Sequence, residues 1–248
     1  VYEFRCSTDG QWYLAMERLR GPTISELVSQ TLSTTRLPLD VTLSIGLGLC
    51  RILDDVHDCV DARSGSELGV VHGDLTPSNV VADAKGGVHL LDFGLAGDDE
   101  HRLSRMGGSY GIRGTVGYFA PEAAQSQELP DRRADVFSLG ALLYELVTGQ
   151  EAFSRVAIEY INAIRTGPAS RPCEVDGSLA PSIDDLLMRC LEPDPKDRPA
   201  TTKEVADAII ALAAEENLQV GRATLADYVD SYFPAQEDVP TRVGDPDR

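Results

Sequence analysis

Apolar positions recur along the chain first in short extended runs and then every three or four residues, which divides it into a small strand-forming start and a long helical remainder. Val1–Arg5 and Trp12–Arg18 read as two strands joined by the polar turn Ser7-Thr8-Asp9-Gly10, a hairpin. After Gly21-Pro22, Ile24–Thr31 predicts a short helix, and Pro38-Leu39-Asp40 opens a longer one with Asp40 as its N-cap. In that second helix Val41, Ile45, Leu49, Ile52 and Val56 form one stripe while Leu43, Leu47 and Cys50 cover another side, so it is expected to be buried. Cys59–Gly69 is a polar loop, and the stretch after Val70-Val71 is too rich in Asp, Asn, Pro and Gly for a regular element.

Val80–Ala82 and Val88–Leu91 flank Asp83-Ala84-Lys85-Gly86-Gly87 and predict a second hairpin. Asp92–Gln127 is glycine-rich and without lasting periodicity, too long for a mere connection, and is expected to be a functional loop. Asp135–Val147 is apolar almost all round and stops at Gly149, the pattern of a central core helix. Four further helices follow. Ala157–Arg165 is the first. The second has Ser182 as cap and Ile183, Leu186, Leu187, Cys190 and Leu191 as its stripe. The third opens on the capping box Thr201-Thr202-Lys203-Glu204 and aligns Val205, Ala208, Ile209 and Leu212. The fourth is led by Thr224, spaces Leu225, Tyr228, Val229, Tyr232 and Phe233 along one face, and ends at Pro234.

Composition narrows the functional classes. The 248 residues suffice for a sizeable core, and no run nears the roughly 18 unbroken apolar residues of a membrane helix. Twenty-two Lys and Arg against 40 Asp and Glu leave a net charge of −18, which repels phosphate backbones and argues against a nucleic-acid partner. Cys6, Cys50, Cys59, Cys173 and Cys190 form neither a zinc pattern nor a disulfide framework, which fits a reducing cytoplasm. His57, His89 and His101 have no companion ligands in the sequence and read as ordinary structural histidines.

The chemistry concentrates in His72-Gly73-Asp74-Leu75-Thr76-Pro77-Ser78-Asn79, where a carboxylate and an amide lie five residues apart just before the second hairpin. The far end of that hairpin presents Asp92-Phe93-Gly94. Two carboxylates and an amide can hold Mg²⁺ through hard oxygen ligands and leave one Asp free to take a proton from an attacking hydroxyl. The stretch resembles the catalytic loop H-R-D-L-x-x-x-N and the D-F-G of eukaryotic-like (Hanks-type) bacterial serine/threonine protein kinases. Gly114-Thr115-Val116-Gly117-Tyr118-Phe119-Ala120-Pro121-Glu122 is similar to the family's G-T-x-x-Y-x-A-P-E, Asp135-Val136-Phe137-Ser138-Leu139-Gly140 to its D-V-W-S-L-G, and Arg198-Pro199 to its late Arg-Pro. The resemblance runs from about Val1 to Leu212.

It implies an α+β protein-kinase-like fold: residues 1–20 as a remnant of the N-terminal antiparallel sheet and hinge, 21–214 as a mostly helical C-terminal lobe, 215–234 as a helical tail and 235–248 as a disordered linker. ATP and Mg²⁺ are the implied cofactors, and protein Ser or Thr hydroxyls the implied substrate. By the same resemblance Asp74 is the catalytic base, Asn79 and Asp92 hold the metal, and Thr115 bonds Asp74 and helps to accept the substrate. Phe93, followed by Gly94, packs on His72; Glu122 pairs with Arg198; and Asp135 accepts backbone N–H bonds from the catalytic loop. Met16 backs the adenine pocket, Glu17 to Leu19 form the hinge, and Val81 stacks under the ring.

Three departures bear on activity. The sequence contains no Gly-rich phosphate loop, strand Lys or helix Glu, so truncation ahead of Val1 is expected, with weak ATP binding, association through an uncovered N-lobe face, and an anchor conceivable beyond Arg248. The family's Arg before the catalytic Asp is Gly73, which removes a cationic partner for a phosphorylated loop. The family's Lys two residues after it is Thr76, a loss worth up to about 3 kcal/mol by analogy with a missing transition-state donor. The alternatives are a pseudokinase acting as a binding module, and a small-molecule kinase like the aminoglycoside phosphotransferases, which share H-G-D but lack A-P-E.

Overall fold

The computed structural model describes residues 3–6, 10–30, 36–92, 117–125, 130–153, 163–164, 167–168 and 170–234. Phe93, Gly94, Thr115, His101, most of the expected 157–165 helix and the expected 235–248 linker lie outside them. The first hairpin pairs β1 (Glu3–Cys6) with β2 (Trp12–Ala15) in antiparallel register, Glu3 opposite Ala15 and Cys6 opposite Trp12. The second strand ends at Ala15, opposite Glu3, rather than at Arg18. The second hairpin pairs β3 (Val80–Ala82) with β4 (Val88–Leu90), Val81 opposite His89.

Between and after the hairpins the chain is helical: α1 (Ile24–Gln30), α2 (Leu39–His57), α3 (Pro121–Gln125), α4 (Arg133–Thr148), α5 (Pro172–Val175), α6 (Pro181–Cys190), α7 (Thr202–Glu215) and α8 (Arg222–Tyr232). Helix α4 is the hub. Nearly all of its side chains from Ala134 to Thr148 are buried, with α2 and α6 packed against it. Phe137 sits at its centre, fully buried and stacked on Phe153 with ring centroids 5.5 Å apart. Helix α2 fills the space between α4, α7 and β4, which is why apolar residues cover most of its circumference.

The helix ends show which local rules decide. Helix α2 is capped by Pro38, not Asp40, because the Thr42 N–H reaches the Pro38 carbonyl at 2.9 Å and places Asp40 inside the first turn. Helix α6 begins at Pro181 with Ala180 as cap rather than Ser182, since Pro lacks the N–H that the first turn leaves unpaired. Thr201 caps α7 by accepting the Glu204 N–H at 3.2 Å. Gly149 ends α4 in the left-handed region at φ 71°, its N–H on the Glu145 carbonyl at 2.7 Å. The last helix starts at Arg222, two residues ahead of Thr224, whose hydroxyl instead donates to the Gln219 carbonyl at 2.9 Å.

Candidate active site

The loop from Val71 to Asn79 is anchored by two apolar side chains, Val71 and Leu75, sunk into the core. Between them the backbone turns outward, and a single carboxylate holds the turn. Asp135, in the first turn of α4 and 0% exposed, accepts the His72 N–H on Oδ2 at 2.8 Å and the Gly73 N–H on Oδ1 at 2.9 Å. Its Oδ2 also receives His57 Nε2 from the end of α2 at 2.8 Å. Three donors and the positive end of α4 thus compensate a carboxylate taken wholly out of water. A carboxylate only accepts, so His57 carries its hydrogen on Nε2 and leaves Nδ1 buried without a partner among the described residues.

Gly73 adopts φ 72°, a left-handed conformation in which a Cβ is strained. Turning the chain this way aims its N–H at Asp135, and Asp74 follows at the loop's outer face, partly buried. Asn79, at the end of the single 3₁₀ turn Pro77–Asn79, reaches back to Asp74. Its Nδ2 donates to the Asp74 carbonyl at 2.9 Å and to Asp74 Oδ2 at 3.2 Å. The Asp74 carboxylate is therefore oriented by its own loop, with Oδ1 left as the accepting atom.

Asp92 is brought to this pair through Leu91. The Leu91 N–H donates to the Asn79 carbonyl at 2.8 Å, and the Leu91 carbonyl accepts His72 Nε2–H at 2.9 Å. His72 is then the Nε2–H tautomer, which fits its Nδ1 accepting the Asp74 N–H at 3.3 Å. Asp92, exposed, has φ 57°; Asn217 is the other non-glycine among the described residues with positive φ. Asp is among the few non-glycine residues that adopt this region readily. Both Nδ2 bonds of Asn79 go to Asp74, so Asn79 Oδ1 and the Asp92 carboxylate are the oxygen donors this segment offers. Two hard-oxygen donors with no thiolate or imidazole suit Mg²⁺, so the residues present fit that ion.

Glu122 at the start of α3 forms a two-pronged pair with Arg198, Oε1 to Nη1 at 2.7 Å and Oε2 to Nη2 at 2.8 Å. The buried guanidinium also donates to the carbonyls of Glu192, Pro193 and Arg133 and lies 4.9 Å from the Phe137 ring centroid. Of the residues read as nucleotide-binding, Met16 is 49% exposed, Glu17 is exposed and Leu19 half-buried, all in irregular chain beyond β2. Val81 is 5% exposed. Beyond Leu19 the segment is tied to β3 by a Thr23–Val81 bridge and by the Ala82 N–H on the Pro22 carbonyl at 3.0 Å. A cleft of about 100 Å³ lies beside the loop, lined by Ser25, Val28, Thr76, Pro77, Ser78, Tyr118, Glu145 and Leu146. Tyr118 donates its hydroxyl to Glu145 there.

Sequence reasoning missed His57. Its signal is positional: it continues the buried Leu49–Leu53 row of α2 at i+4, where another apolar residue belongs. Among the described residues no helix is long and apolar enough to cross a membrane.

The family model described as the protein kinase domain matches residues 2–209. Tyrosine-protein kinase MasK of Myxococcus xanthus is 32% identical over 234 residues, covering 91% of this chain and 34% of that protein. The probable serine/threonine-protein kinase PknB of Corynebacterium glutamicum is 29% identical over 199 residues, 78% of this chain and 29% of that protein. The chain spans about a third of the length of these curated relatives. The crystal structure of the Mycobacterium tuberculosis PknI kinase domain superposes with a TM-score of 0.59 at 23% identity, over 85% of this chain and 69% of that one, a likeness of fold. With an α+β kinase fold, the family match across most of its length and bacterial kinases as relatives, the chain belongs to the protein kinase domain family, in its Hanks-type bacterial branch.

Proposed function

We propose that the chain carries the catalytic loop of a serine/threonine protein kinase, which moves the γ-phosphoryl group of ATP to a protein Ser or Thr hydroxyl. The observation that carries this reading is the orientation of Asp74: Asn79 Nδ2 occupies its carbonyl and Oδ2 while Asp135 fixes the backbone ahead of it. A substrate hydroxyl at Asp74 Oδ1 loses its proton there as its oxygen bonds to phosphorus and the bond to the leaving ADP oxygen breaks. Asn79 and Asp92 would hold Mg²⁺, which supplies charge neutralisation to the phosphates when bound. Met16, the Glu17–Leu19 segment and Val81 would receive the adenine. A reaction that draws on ATP and Mg²⁺ would run in the cytoplasm.

The test is Mg²⁺-dependent transfer from labelled ATP to a generic protein substrate by the full-length gene product that contains this chain. Asp74→Asn is expected to lower the rate by about 10²–10⁴-fold, the usual worth of a general base. Phosphoamino-acid determination on the product separates Ser and Thr from Tyr, the acceptor named for one relative. Undiminished transfer by Asp74→Asn overturns the assignment of the base. One observation favours a second reading, a nucleotide-dependent binding module. Thr76 is uncharged and 3% exposed, so this position offers the phosphoryl group no cation. Mg²⁺-dependent nucleotide binding without any transfer would select that reading.

A further inference from the structure

Hairpin tips ordinarily face water, and Ala84 and Lys85 in the β3–β4 turn do so, yet Gly86 and Gly87 next to them are buried. What covers them is α8. A Cβ added to Gly86, whose φ is 70°, would overlap the Arg222 carbonyl and lie 2.9 Å from the Ala226 N, so the turn meets the first turn of α8 backbone to backbone. The helix is fastened on its other side as well. The Gly221 N–H donates to Ser44 Oγ of α2 at 2.8 Å, and Leu225 and Val229 are buried against the core. Helix α8 also packs on α1, and α1 in turn packs on the Pro77–Asn79 turn and on β3. It therefore touches α1, which supports the Asn79 turn, and also the turn of the hairpin whose ends carry Asn79 and Asp92. The family match stops at residue 209, so this helix lies beyond the matched residues.

We propose that α8 is a positioning element for the metal and nucleotide site: by wedging the Gly86 turn against α2 it fixes the hairpin ends that present Asn79 and Asp92. The inference rests on reading those two residues as metal ligands. The backbone of His72 and Gly73 is held separately, through Asp135, but the Asp74 carboxylate is bonded by Asn79, so loosening α8 weakens metal and nucleotide capture and slackens the proton acceptor with it.

The experiment uses the full-length gene product with Leu225→Ala and, as a second route to the same end, Gly86→Ala. Leu225→Met serves as rescue, and Tyr232→Ala, at the half-exposed end of α8, as control. Amide exchange followed by mass spectrometry is expected to show at least tenfold faster exchange of peptides covering 80–91 in both disrupting variants, with peptides covering 71–74 unchanged. In kinetics the KM for Mg·ATP is expected to rise about tenfold, with kcat falling alongside it because Asn79 also orients Asp74, and Leu225→Met to restore both readouts. Unchanged exchange over 80–91 while α8 itself exchanges freely would overturn the proposal. So would a fall in kcat with KM unmoved. If no variant, native protein included, transfers phosphate, the exchange arm still decides whether α8 holds the hairpin, and the kinase reading alone fails.

Discussion

Gly73 stands where the resembled family carries an arginine, and its backbone explains why glycine serves there. At φ 72° a side chain costs about 1 kcal/mol, and the conformation is required for the N–H to reach Asp135. Gly73→Ala is expected to lower unfolding stability in urea by about 1 kcal/mol or more, and Gly73→Asn by less, because Asn tolerates the left-handed region. Equal stability for all three would show that the turn relaxes without cost. The sequence exposed this glycine as a missing charge; only the dihedral reveals it as a backbone requirement. His57 was hidden for a related reason. Its partner Asp135 lies 78 positions away, and no spacing rule joins the end of one helix to the start of another. The bonded pair Asp74 and Asn79, and Asp92 next to the Leu91 that bonds Asn79, were legible as a group because they fall within one loop and one hairpin, where sequence spacing and spatial distance coincide.

At the scale of elements, what ties α3 to the segment between α6 and α7 is an ion pair whose guanidinium is buried. Removing one partner of such a pair leaves a charge without compensation, at a cost of about 3–5 kcal/mol. Arg198 keeps three carbonyl acceptors, so Glu122→Gln is expected near the lower bound, about 3 kcal/mol by chemical denaturation. A loss under about 0.5 kcal/mol would mean the carbonyls alone suffice. Asp184 performs a comparable task between α5 and α6. Burial raises its pKa, but the Cys173 thiol at 2.7 Å, Arg171 at 2.9 Å and the Cys173 N–H at 2.8 Å outweigh this and hold it below 3.8. A carboxylate with depressed folded pKa contributes stability that is complete above 3.8 and is lost as pH falls through the lower folded value. Asp184→Asn should therefore melt a few degrees below the native protein at pH 7, with the gap closing only below pH 3.8. A gap independent of pH would assign the loss to packing. Neither α5 nor its contact with α6 was predicted from sequence, since a four-residue helix offers no periodicity to read.

The whole molecule draws its helices around α4, and the cysteines report on whether that arrangement opens as one unit. Cys50 lies on α2 and Cys190 on α6, both buried. Burial pushes the Cys190 thiol up to about 12 and the Cys50 thiol higher still, so neither offers thiolate to a reagent at neutral pH. Cys6 and Cys59 are exposed and should react at once with a chromogenic disulfide in native buffer. Cys173, half-exposed with its thiol hydrogen on Asp184 and its pKa raised by that bond, should follow more slowly. Because α2 and α6 share α4 as their common neighbour, opening either face uncovers the hub on which the other depends. Cys50 and Cys190 are accordingly expected to become reactive at the same urea concentration, coincident with the loss of helical circular dichroism. Earlier exposure of Cys190 would instead define α6 and its surroundings as a separately opening unit, leaving α2 and the hairpin it supports as the stable base of the site.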